Sequence, residues 1–365
     1  MEVVDLSHTS PRDFMTLGCG SLKNIADLSF RPRRVNLLKL NVEEFEDHER
    51  EIRADILNSE SLEKVGLHPI VDDTPVFGID TSSIDLGETK DGSLCAVRGS
   101  IVWRYKRGYQ YTRYGPFIFH ITENNKHVLY NKLRQTYFAS RDEVSAPSLW
   151  LMPDRIRNVL ERWLQKLVCQ SCQDSLLLWD GSLTAWTFDS PVSVLSEMLH
   201  TARNRGNIIL AFSKKTKLYV ADRRIADLID NRESPCLLKI DEAIRLQYGS
   251  SLCFFGRVYA AKLAPGCFTF RLDVDREVPE EEGIRAVERL IGSDLVIESY
   301  PETLRLAHIT TRFSASEVIG MQRYIAENYG MRVVGRPDVR QVLFGPYAGA
   351  SHQGLEDEWV YDAHL

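Results

Sequence analysis

The chain has 365 residues, 44% of them hydrophobic and 26% charged, the composition of a soluble globular protein with room for one large core or two domains. This excludes disorder over most of the length, and no window approaches the roughly 18 consecutive apolar residues of a membrane span. The net charge of −6 argues against a protein that coats nucleic acid by neutralising phosphates. It leaves room for a metal enzyme, whose carboxylates add negative charge where bound cations reverse the local field.

The first twenty residues lack a basic stretch followed by an apolar one, and the seven cysteines are odd in number and scattered. Both features predict a reducing, cytoplasmic location. Cys169 and Cys172 form the one close pair; without a second pair or histidines at ligand spacing they read as helix-end thiols, not zinc ligands.

In chain order, residues 41–64 mix both charges with Phe45, Ile52, Ile56 and Leu57 at helical spacing, which predicts an amphipathic helix in an N-terminal helical extension over 1–70. Strand-like runs follow at 75–80, at 93–105 after the turn signal Asp91-Gly92, and at 116–122. Pro153 opens a helix whose apolar positions are Ile156, Val159, Leu160, Trp163, Leu164, Leu167 and Val168. A short strand at 175–179, a helix over 191–203 and a buried strand at 207–212 come next. Strands at 258–262 and 267–274, a helix over 283–291 and a late helix over 301–319 complete the pattern. Hairpin-connected strands followed by alternating helices and strands predict an α/β fold with a mixed sheet flanked by helices over 71–330, then a tail over 331–365 that packs on the core or contacts a partner.

Two aspartates each follow an apolar run and precede small hydroxyl residues: Val76-Phe77-Gly78-Ile79-Asp80-Thr81-Ser82-Ser83 and Leu176-Leu177-Leu178-Trp179-Asp180-Gly181-Ser182-Leu183. Taken singly, each is also a good turn or cap residue. On adjacent strand ends, the pair could share divalent cations such as Mg²⁺ or Mn²⁺, which prefer carboxylate oxygens. Glu161 lies on the flank of an apolar helix face, where a solvated glutamate is equally at home; Glu123 and Glu143 are other acids of the segment. His308, within the late helix, and Lys214, in Phe212-Ser213-Lys214-Lys215, are likewise ordinary residues when read alone.

Together, an aspartate ending the first strand, a glutamate, Asp-Gly-Ser-Leu, Ser-Lys and Tyr-Pro with a histidine eight positions after the tyrosine resemble the NurA family of nucleases over roughly 76–315. The resemblance implies a ribonuclease H-like fold in which Asp80, Glu161, Asp180 and His308 are metal ligands, Tyr300 sits beside them and Lys214 meets phosphate. It further implies two-metal phosphodiester hydrolysis with two Mn²⁺ or Mg²⁺ ions about 3.5–4 Å apart. A 5′–3′ exonuclease and single-strand endonuclease in DNA end resection for double-strand break repair is the expected activity. The expected partners are DNA ends, a second copy in a homodimer and a hexameric HerA-type translocase, whose Walker A pattern this chain lacks.

Residues 98–114 interleave Arg98, Arg104, Lys106, Arg107 and Arg113 with Trp103, Tyr105, Tyr109, Tyr111 and Tyr114, without an acid. This pattern suits a DNA-binding surface that grips a single strand, and it equally suits an aromatic-rich hairpin turning near Arg107-Gly108. Two other classes compete. Gly78-Ile79-Asp80-Thr81-Ser82-Ser83 is similar to the first phosphate loop of the actin and sugar kinase superfamily of ATP-binding proteins, but a second glycine-rich loop is lacking. A non-catalytic module of the same fold would be expected to lack ligand residues, and all four positions carry them.

Overall fold

Turns at Asp91 and at Lys106, the latter with φ 58°, fold three long runs into a meander that dominates the sheet. The computed structural model describes residues 10–35, 52–56 and 62–334, apart from 24, 27, 34, 107, 141, 186–190, 215, 217, 221–222, 230–232, 242–243, 247–252 and 267.

The chain begins with α1 (Arg12–Ser21), β1 (Ser29–Pro32), β2 (Ile52–Ile56) and β3 (Lys64–Gly66). The meander is β4 (Val76–Thr89), β5 (Gly92–Tyr105) and β6 (Gly108–Thr122), followed by α2 (Lys126–Phe138), α3 (Met152–Ser171) and β7 (Leu176–Asp180). Then come β8 (Thr184–Ala185), α4 (Val192–Asn204), β9 (Ile208–Ser213), β10 (Leu218–Val220), β11 (Arg223–Arg224), β12 (Cys236–Lys239), β13 (Ile244–Leu246) and β14 (Cys253–Phe254). The last part holds β15 (Gly256–Lys262), β16 (Phe270–Asp275), α5 (Glu280–Ser293), β17 (Val296–Ile297), β18 (Tyr300–Pro301), α6 (Glu302–Thr311), α7 (Ala315–Tyr329) and β19 (Arg332–Val333).

The main sheet runs β6-β5-β4-β7-β9-β16-β15-β12-β3, with β1 and β19 attached to the far end of β4. β7 lies parallel to β4 and β9 parallel to β7, whereas β5, β6 and β16 run antiparallel to their neighbours. It is the mixed α/β sheet, flanked by helices, that the sequence predicts. One face is covered by α2, α3 and α4, whose Leu133, Leu160, Leu164 and Leu195 share one apolar cluster with Ile79 and Trp179. The other carries α5 and α6, whose Leu290 and Leu304 pack on Val76 and Leu178.

Three expectations are corrected. Residues 52–56 and Lys64, inside the expected amphipathic helix, belong to strands; 41–51 and 57–61 lie outside the described residues. Ile52 and Ile56 belong to a strand because β2 pairs with β10 and β13 in a small second sheet, so cross-strand bonding overrides helical spacing. Nor do the described residues of 1–70 stand apart as an extension, since β1 and β3 join the main sheet. The late helix is two helices, broken before Ala315, where Ser314 and Glu317 form a reciprocal capping box that starts α7. The tail from 335 onward lies outside the described residues.

Candidate metal centre

Parallel pairing of β4 and β7 runs in register from Val76 with Leu176 to Ile79 with Trp179. The next position on each strand is an aspartate, so Asp80 and Asp180 stand abreast, on backbones about 4.8 Å apart and on one face of the sheet. Asp80 does not end its strand: β4 continues to Thr89, whereas β7 stops at Asp180. Both carboxylates border the notch beyond the end of β7, Asp80 buried and Asp180 half-buried.

Helix α6 delivers His308 to this notch. Gly78, two residues before Asp80 on the same face, has no Cβ, and a Cβ there would lie 2.8 Å from the Thr303 carbonyl oxygen and 3.1 Å from the Leu304 Cα. The glycine lets the helix lie directly on the strand. His308, little more than a turn further on, then brings Nδ1 to 2.7 Å from Asp80 Oδ2. The other Asp80 oxygen accepts from the Thr81 amide at 2.7 Å.

From the opposite layer, α3 comes close through the same device at Gly99, where a Cβ would meet Leu164 Cδ1 at 2.4 Å. Glu161 on α3 receives the Thr81 hydroxyl at 3.3 Å on one oxygen and Gln165 Nε2 at 3.0 Å on the other. Gln165 is itself held by Arg162, whose Nη1 donates to Oε1 at 2.7 Å. Burial pushes the Glu161 carboxyl up to about 7; Arg162 and Arg157 pull it down, while Asp80 and Asp180 add to the rise.

Lys214, just past β9, donates Nζ to Asp180 Oδ2 at 2.6 Å and lies 5.3 Å from the centre of the Tyr300 ring. Burial and the Asp80 charge nevertheless hold the Asp180 carboxyl above the usual range, with Lys214 and His308 opposing. The Tyr300 hydroxyl has no hydrogen-bond partner among the described residues. Burial, with Asp180 and Asp80 nearby, holds it protonated.

Asp80, Asp180 and His308 each offer a ligand atom, all within 4.8 Å of one another. Two carboxylates and an imidazole suit Mg²⁺ or Mn²⁺, and the Lys214 ammonium against Asp180 shows a position where positive charge is already favoured. Of the expected ligands, Glu161 stands beside this group rather than in it, with both oxygens engaged by Thr81 and Gln165.

The basic and aromatic hairpin is divided by the sheet. Trp103 and Tyr114 point into the core, Trp103 stacked on Phe77 and Tyr114 edge-to-face with Trp163. Arg98 is buried, bonded to Glu317 at 2.7 Å. Tyr109 is tied through its hydroxyl to Asp294 at 2.7 Å. What remains at the surface is Lys106, Tyr111 and Arg113, with Arg104 half-buried; Arg107 lies outside the described residues. Arg113 pairs with Ser100, and Ser100 with Asp80, so this row lies on the face of the sheet that carries the carboxylates.

Sequence reasoning missed Gln165 and Asp273. The second is completely buried in β16 and accepts the Leu183 amide at 3.0 Å. Its only sequence signal is a charge in the apolar alternation Arg271-Leu272-Asp273-Val274.

No protein-family model and no curated protein matches the chain. Among solved structures the chain is similar to the NurA nuclease from Sulfolobus solfataricus, with 14% identity over 72% of this chain and 87% of that one and a TM-score of 0.46. It is also similar to the Endonuclease V from Bacillus subtilis, with 13% identity over 72% of this chain and 88% of that one and a TM-score of 0.35. Both likenesses concern the path of the chain alone.

Proposed function

We propose that this protein is a metal-dependent DNA nuclease. The observation that carries the reading is the convergence of Asp80, Asp180 and His308 from three elements, with ligand atoms within 4.8 Å of one another. Divalent cations bound there would lower the pKa of an attacking water and offset charge on the attacking and leaving oxygens of a phosphodiester. Asp80 and Asp180 would supply carboxylate oxygens and His308 an imidazole nitrogen, with His308 Nδ1 already beside Asp80 Oδ2. Glu161, beside this group and now bonded to Thr81 and Gln165, would be the fourth donor of a two-cation arrangement.

Lys214 pairs with Asp180 and, with a cation beside that carboxylate, would meet a phosphate oxygen as a point charge. The Tyr300 hydroxyl, protonated and unpartnered, is a second donor for such an oxygen. Arg104, Lys106, Tyr111 and Arg113 form the surface that holds the strand, with cations tracking phosphates and the exposed Tyr111 ring offering a base a stacking partner. The sequence resemblance supports the finer reading: 5′–3′ exonuclease and single-strand endonuclease activity in DNA end resection, Mn²⁺ as the working ion, a homodimer, and a HerA-type translocase as partner.

Digestion of end-labelled single- and double-stranded DNA with Mn²⁺, Mg²⁺ or EDTA, with and without a HerA-type partner, tests this reading. Cutting that needs the metal and vanishes in Asp80→Ala and Asp180→Ala is expected. Absence of cutting by the wild-type protein in every condition overturns it.

A further inference from the structure

Three residues past Asp180, the chain is gripped by a buried ion pair. Asp273 is 0% exposed and Arg271 3% exposed. Arg271 Nε and Nη2 reach the two Asp273 oxygens at 2.7 Å each, a bidentate fork, and Oδ2 also accepts the Leu183 amide at 3.0 Å. Gly256 on β15 makes room for the pair: a Cβ there would lie 2.7 Å from Asp273 Cβ and 3.3 Å from Leu183 Cβ. The Leu183 carbonyl accepts the Phe255 amide at 2.9 Å, so the segment is held on both sides. Phe254 covers the Arg271 guanidinium at 5.5 Å.

A fully buried ion pair is a poor device for stability alone, because apolar residues of similar volume often serve as well or better. What this pair does is geometric. β4 runs nine residues past Asp80, and a β7 that continued beside it would fill the notch through which His308 and Glu161 approach from opposite faces. Instead the chain turns away at Gly181, whose φ of 117° few residues other than glycine adopt, and Asp273 captures it at Leu183. We propose that Asp273, oriented by Arg271, is a positioning residue that holds the 181–183 segment aside, keeping the Asp180 carboxylate directed at Asp80 and the notch open to a cation. This role rests on the metal centre proposed above.

The test is direct titration of the full chain with Mn²⁺ by calorimetry, alongside its melting temperature without metal. Asp273→Asn keeps an oxygen for Leu183 but loses the charged fork; the paired change Arg271→Leu with Asp273→Leu keeps the volume apolar and the fold stable while removing the acceptor. The Mn²⁺ midpoint is expected to rise at least tenfold in the paired variant and less in Asp273→Asn. Leu290→Ala, a cavity on the outer helix α5, lowers the melting temperature and leaves the midpoint unchanged. Wild-type midpoints in both Asp273 variants overturn the proposal while leaving the metal centre intact. A wild-type chain that binds no Mn²⁺ overturns both.

Discussion

Burial makes the Glu161 carboxyl favour its neutral form, up to about 7, whereas the unfolded chain releases that proton near 4.5. Between those values the folded protein binds more protons than the unfolded one, so stability falls as pH rises through the window and levels off above it. Glu161→Gln has no such penalty. Equilibrium unfolding is expected to give equal stabilities for wild type and variant at pH 4, and a variant more stable by at most about 3 kcal/mol at pH 8. Parallel curves across the range would contradict the burial argument. As the proposed fourth donor, Glu161 would bind a cation only when ionised, so Mn²⁺ affinity of the wild type is expected to rise through pH 7, and that of Glu161→Gln to lack this step.

Asp180 lies in the same like-charged setting. Asp180→Asn removes a carboxylate that burial and Asp80 disfavour, so without metal its melting temperature is expected to equal or exceed that of wild type. Millimolar Mn²⁺ should raise the wild-type melting temperature and leave that of Asp180→Asn unmoved, which differential scanning calorimetry reads directly. A clear loss of stability without metal would show that Asp180 is part of the framework.

At the scale of elements, Gly78 decides whether α6 can lie on β4. A side chain there meets backbone, which cannot swing away. Gly78→Val is expected to cost about 1–3 kcal/mol by overpacking and to move His308 off Asp80. Mn²⁺ binding should then weaken far more than unfolding measurements alone would suggest. A variant with wild-type Mn²⁺ affinity would place the His308 contact elsewhere than in the helix–strand approach.

Elements also show what the sequence carries. α3 and α4 and strands β7 and β9 were legible from apolar spacing and from Pro153 and Pro191, because each packs one stripe or one short run on the core. Asp80 and Asp180 were legible as a pair because each closes an apolar run before small residues. The length of β4 was not, since the apolar run ends at Asp80 before the small hydroxyl residues Thr81, Ser82 and Ser83, which are nevertheless buried, with Ser82 and Ser83 bonded to Thr311 and Asp154. Asp273 was illegible for a related reason: its partner Leu183 is brought to it by tertiary contact and leaves no local pattern, whereas Gln165 sits one helical turn after Glu161, an i,i+4 pair that local spacing does contain.

For the molecule as a whole, a net charge of −6 and the proposed nucleic-acid substrate are compatible because Lys106 and Arg113 are exposed on the hairpin, Arg113 on the sheet face that carries Asp80. Binding of a fluorescent single-stranded oligonucleotide in EDTA isolates that surface from cutting. Arg113→Ala is expected to weaken binding and to lower the slope of log affinity against log salt by roughly 0.7, one phosphate contact on a single strand. Tyr111→Ala should weaken binding by about 1–3 kcal/mol with the salt slope kept, as loss of one stacked base requires. Unchanged binding in both variants would remove the hairpin face from the account.

The central claim is that Asp80, Asp180 and His308 together hold a divalent cation. Anomalous diffraction from crystals of the full chain grown with Mn²⁺ tests it most directly. A peak bounded by the two carboxylates and the imidazole, with Lys214 withdrawn from Asp180, is the predicted result. An empty centre at saturating Mn²⁺, with Lys214 still paired to Asp180, would contradict it.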